Sequence, residues 1–152
     1  MNLSGDHWTY LALPVLGDPD PADRDQSLPV VRWRKVYLTG RDERADPYAI
    51  VELQGEDPIR GTELRWGTCN VEDWGTAYFV FKRTKEAVSG DAIVVLHEHK
   101  LTVRYYEPQG NGQVCLRSVE QKCPTWILSA DEVNIQGVVV KWGIDLHDSG
   151  WA

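Results

Sequence analysis

The sequence predicts a mainly β fold with little helix, and three observations predict it. Short runs rich in Val, Ile, Thr, Tyr and Trp recur along the chain, as in Tyr48–Leu53, Thr76–Lys82 and Val114–Val119. Turn residues punctuate them, most plainly Gln109-Gly-Asn-Gly112, which has the residue types a β-hairpin turn needs. No segment of useful length carries apolar residues at helical spacing, and no internal repeat is present.

Taken in order, residues 1–27 read as an N-terminal arm followed by an acidic, Pro-rich linker. The arm holds a short apolar stretch, Trp8–Leu16, and the linker is DPDPADRD over residues 18–25. The arm is too short to fold alone and is expected to pack on the domain or on a partner. Residues 28–152 read as one β domain. Pro29–Leu38 alternates roughly and ends at Thr39-Gly40, and Tyr48–Leu53 closes at Gln54-Gly55. Glu63–Trp66 is a short strand stopped by Gly67, and Thr84–Ser89 has room for one turn of helix. Thr125–Leu128 and Val133–Ile144 complete the set, the latter with Gly137 inside it.

The chain is organised around Gly90–Tyr106, GDAIVVLHEHKLTVRYY. Ala92–Leu96 has no polar face, which suits a strand buried on both sides. Leu101, Val103 and Tyr105 alternate with Thr102, Arg104 and Tyr106, which predicts one face in the core and one in water. His97-Glu98-His99-Lys100 is the polar turn between the two strands.

At 152 residues, 42% hydrophobic and 26% charged, the chain is long enough to bury one core. Its net charge of −7 repels phosphate backbones, which argues against nucleic acid as a direct partner. Three Cys without a C-x-x-C spacing predict reduced thiols in a cytoplasmic protein. The first 20 residues have neither a basic n-region nor a long apolar run, so neither a signal peptide nor a membrane span is expected there. His97 and His99 without a recognisable third ligand predict a solvated hairpin tip, not a metal site. No cofactor is expected. Arg32-Trp33-Arg34-Lys35 interleaves cations with an aromatic ring. On an acidic chain it reads as a strand with wet cations and, if at a sheet edge, as a protein-docking site.

The pattern of GDAIVV (90–95), LTVR (101–104) and IQGVVV (135–140) resembles the C-terminal domain of the LexA/UmuD-like self-cleaving serine peptidases and related phage repressors. The resemblance covers about the last 60 residues in register and implies a LexA/UmuD-like β fold. It also implies a Ser nucleophile in a Gly-x-Ser-Met turn and a Lys general base on a Thr-Val-Lys strand. Desolvation would make that Lys neutral and able to take the Ser proton. Here Arg104 stands at the Lys position, and Arg stays protonated in proteins. The nucleophile turn matches Gly67-Thr68-Cys69-Asn70 or, in a second register, Gly55-Glu56-Asp57-Pro58, and neither supplies a Ser. The family's Ala-Gly cleavage bond is absent, and Thr39-Gly40 falls where the cleavage loop would lie.

These departures predict a catalytically degenerate, non-enzymatic module whose partner is a protein, itself or a related regulator. The family's C-terminal domains dimerise, which places Val133, Ile135, Val138 and Val140 in or near an interface, with Trp33 as a further contact. Two alternatives come from other classes. One is a peptidase with Cys69 as nucleophile beside Arg104. The other is a phage-type inhibitor that binds a host defence or regulatory complex through its acidic face and Trp residues. Arg104 itself needs a carboxylate partner if half-buried, with Glu52, Glu63 and Asp73 as candidates.

Overall fold

Successive β-branched and aromatic runs in this chain have nowhere to satisfy their backbone groups except in one another, and they assemble side by side. The computed structural model describes residues 8–39, 46–54, 65–66, 69–70, 76–117 and 125–145. Its strands are β1 (Trp8–Leu16), β2 (Val30–Thr39), β3 (Tyr48–Gln54), β4 (Arg65–Trp66), β5 (Cys69–Asn70) and β6 (Thr76–Lys82). They continue as β7 (Ala92–His97), β8 (Lys100–Pro108), β9 (Gln113–Arg117), β10 (Trp126–Ser129) and β11 (Asn134–Asp145). Nine form one sheet in the order β10-β9-β8-β7-β11-β6-β3-β1-β2, and β4 and β5 form a separate ribbon. The fold is mainly β, as the sequence predicts. Among the described residues the only helix is a single 3-10 turn, Ala130–Glu132, and residues 84–89 form no helical turn.

Apolar side chains fill both faces of the sheet centre. On one face, Phe79 and Phe81 of β6 meet Val51 and Leu53 of β3, Val94 and Leu96 of β7, and Leu101 and Val103 of β8. On the other, Ile93, Val95, Val114 and Leu116 form a second cluster at the β7–β9 end. Removing one such side chain from water stabilises the fold by about 1.5–3 kcal/mol. These strands therefore carry most of the stability.

Trp8–Leu16, expected to be an arm, is a strand of the sheet. It pairs antiparallel with β2 along its length and runs parallel to β3 only at Val15↔Ile50 and Leu16↔Val51. Leu13 and Val15 are fully buried with Val36, Ile50 and Val80. The alternation of large apolar residues in LALPVL packs one side of the β1–β2 ribbon onto β3 and β6. Lys141 of β11 donates to the Tyr37 carbonyl at 2.6 Å and ties the far end of the ribbon down. The acidic segment after β1 is also held: Asp18 accepts the Leu101 amide at 2.8 Å, and Gln26 and His99 side chains meet at 3.1 Å.

The turn joining β7 to β8 is two residues long, Glu98 and His99, with φ of 51° and 66°. Two successive left-handed residues match the right-handed twist of the strands, but Asn-Gly would adopt them more easily. Gly137 sits at a bulge in β11, where a Cβ would collide with the Lys82 carbonyl and the Phe81 ring. Glycine is what lets β11 lie that close to β6.

Candidate functional site

Arg104 is the centre of the site that the sequence singles out. The register pairs it with Ile93, and its side chain points to the same face as Ile93, Val95, Thr102 and Leu116. The alternation predicts that this face of β8 is wet. It is dry: Thr102 is 1% and Arg104 0% exposed. The cover comes from β9 and β10. Trp126, on β10, pairs with Leu116, and Leu116 pairs with Tyr106, so the indole is brought back over the position next to Arg104. The guanidinium lies 3.7 Å over the centre of the Trp126 ring, and its Nη1 donates to the Leu116 carbonyl at 3.2 Å. His97 stacks on the same indole with centroids 4.5 Å apart.

Burying a cation costs several kcal/mol unless polar contacts replace its water. The indole face offsets up to about 2 kcal/mol when desolvated, and a charge-assisted hydrogen bond adds a similar amount. A guanidinium suits this setting because it is flat and weakly hydrated, so it can stack and donate at once. It cannot give up its proton, so at this position it is an electrostatic and packing element and not a base.

Glu52 is not its partner. That carboxylate, on β3, takes Arg32 and Arg34 of β2, the latter at 3.0 Å. Three strands, β6, β11 and β7, separate β3 from β8, so a Glu52–Arg104 pair would have to cross the sheet. Arg34 also stacks 3.8 Å over Tyr78, so the cations of β2 are partly used internally. Glu63 and Asp73 lie outside the described residues.

Of Gly67-Thr68-Cys69-Asn70, read as a nucleophile turn, Cys69 and Asn70 are described, and they form β5, in which Cys69 opposes Trp66. The Cys69 side chain, Asp57 and Gly40 lie outside the described residues, as does the side chain of Thr39, the last residue of β2. Cys115 is a free, half-buried thiol on β9. The histidines of the β7–β8 turn diverge, His97 onto Trp126 and His99 towards Gln26.

The expected interface residues fall in two places. Val133, Ile135 and Val138 are half-buried against the cluster of Ile93 and Leu116, while Val140 is exposed. Ile135, Val138 and Val140 lie on β11, which pairs with β7 over Asn134–Val138 and with β6 over Val138–Asp145. Trp33 stands on β2, an edge strand, with 65% of its surface exposed. The sequence reading places a strand over Thr125–Leu128 but gives Trp126 no role. Only the two hairpin registers between β8 and β10 could have placed the ring by its cation.

Residues 75–140 match the Peptidase S24-like family. This segment is LexA/UmuD-like. It runs from the residue before β6 into β11 and contains the whole Arg104–Trp126 site. The Cys69 and Asp57 positions lie upstream of the matched residues. No curated protein matches the chain.

Proposed function

We propose that this chain is a non-enzymatic protein-interaction module of LexA/UmuD-like fold that modulates a transcriptional or phage regulator, by pairing with itself or with a related regulator domain. The observation that carries this reading is Arg104. On the resemblance carried by LTVR (101–104), Arg104 stands where the LexA/UmuD-like family has a Lys that must lose its proton, and Arg keeps its own. Its burial and its stacking on Trp126 argue for a settled structural role. No helix among the described residues is long and apolar enough to cross a membrane.

The test is the intact mass and oligomeric state of the purified chain after a day at pH 7 and at alkaline pH, which would deprotonate a surviving base. An intact self-associated species under both conditions supports the module. A fragment pair split near Thr39-Gly40 overturns it and makes Cys69 the residue to mutate next. The double substitution Arg104→Lys with Cys69→Ser adds a second arm: self-cleavage that appears only in this variant shows a scaffold that lacks its reactive groups. An intact monomer moves the reading to an inhibitor that awaits a different protein.

A further inference from the structure

The interaction reading leaves open which surface binds and what chemistry it takes, and the β1–β2 ribbon supplies both. Among the described residues β2 has a hydrogen-bonded neighbour on one side only. It is a long strand of ten residues, and its Tyr37 end is occupied by Lys141. Residues 30–36 remain as an edge. Along it Val31 and Trp33 are 59% and 65% exposed, and Lys35 is exposed beside them. A long edge of this kind, with its apolar side chains in water, is a template for another strand.

Charge selects the occupant. The ribbon residues 8–16 and 30–39 contain three cations, Arg32, Arg34 and Lys35, and no acid. Glu52 offsets part of that charge from the inner face. A second copy is a poor fit. Antiparallel pairing of β2 with its own two-fold mate, centred anywhere from Trp33 to Lys35, sets one of these cations directly opposite another, which destabilises the pair. The whole chain is at −7, so the residues outside the ribbon carry −10 against its +3, and those of their charges that lie beyond about 8–10 Å are screened at ordinary salt.

We propose that the edge of β2 takes up an extended acidic segment of a protein partner as an added strand, with Trp33 and Val31 covering its apolar side chains and Lys35 meeting its carboxylates. This rests on the interaction-module reading and names the partner chemistry for it.

The experiment titrates the full chain with a labelled peptide of about ten residues, the length of one strand, in which Val and Glu take turns at every second position with Thr between, so that both can face Val31, Trp33 and Lys35, and with its counterpart carrying Lys for Glu. Binding is read by fluorescence anisotropy. The expected result is saturable binding of the acidic peptide alone, weakened about tenfold by Lys35→Glu and by Trp33→Ser. Both side chains are exposed, so an unchanged melting temperature shows that the variants fold. Failure of the acidic peptide to bind, equal binding of both peptides, or binding indifferent to both substitutions overturns the proposal. A dimer of the free chain that Trp33→Ser dissolves also overturns it and assigns the edge to a second copy. A chain that cuts itself in alkali yet binds the peptide defeats only the non-enzymatic reading; an intact chain that ignores the peptide defeats only this one.

Discussion

The guanidinium carbon of Arg104 lies over the indole of Trp126, 3.7 Å from its centre, although β8 and β10 are not neighbours in the sheet. The contact spans β9 and joins the central hairpin to the edge of the sheet. Its loss should be felt as stability. Trp126→Leu removes both the ring and part of the cover over a buried cation, and we expect a loss of about 3 kcal/mol in urea unfolding. A cost within experimental error would mean that the stack contributes nothing.

Gly137 gives a sterically independent test. Alanine there would press its methyl into the Lys82 carbonyl and the Phe81 ring. We expect Gly137→Ala to cost about 3 kcal/mol, the upper range for overpacking a tight contact. Thermal melts of the two proteins compare them directly, and an unchanged melting temperature refutes the close approach of β11 to β6.

The β7–β8 turn should tolerate improvement. Glu98 and His99 both hold positive φ, a conformation that costs an L-residue roughly 1–2 kcal/mol. Replacing the pair by Asn-Gly should stabilise the chain by about 1 kcal/mol, a rise of about 3 °C in melting temperature. A fall would show that the His99 contact with Gln26 matters more than the backbone conformation.

Glu132 gives a pH signature. It accepts hydrogen bonds from the Ser129 hydroxyl and, at 3.1 Å, from the Ser129 amide, and these hold its carboxyl below the usual Glu range. A depressed carboxyl favours the folded state above its unfolded pKa, and that contribution is lost as pH falls through the lowered folded value. In an NMR titration Glu132 should therefore titrate below ordinary Glu, and Ser129→Ala should move it upward. No movement would place the cause elsewhere.

The strands were legible in the sequence because each carries its own pattern. Val114–Val119 and Thr125–Leu128 lie within two residues of β9 and β10, and the Gly-rich turn at 109–112 is where the pattern puts it. What the pattern could not show was burial imposed from elsewhere. Thr102 and Arg104 look like the wet side of an alternating strand, yet they are buried because β9 and β10 bring Trp126 back over them. The same limit applies to Trp8–Leu16. Its apolar spacing was visible, but only the parallel contact with β3 makes it part of the sheet. The likeness to LexA/UmuD-like domains was readable from GDAIVV, LTVR and IQGVVV, since all three fall inside the matched residues 75–140.

The position of β11 also sets a timetable. It lies between β6 and β7, yet it is made after every other strand of the sheet. While a ribosome is still translating the residues before it, β6 and β7 each present an unpaired flank, and among the described residues no ladder of backbone hydrogen bonds joins the two halves of the sheet. The domain is completed only when Asn134–Asp145 slots in as a keystone, so the growing chain must keep two sticky flanks apart until its closing stretch emerges.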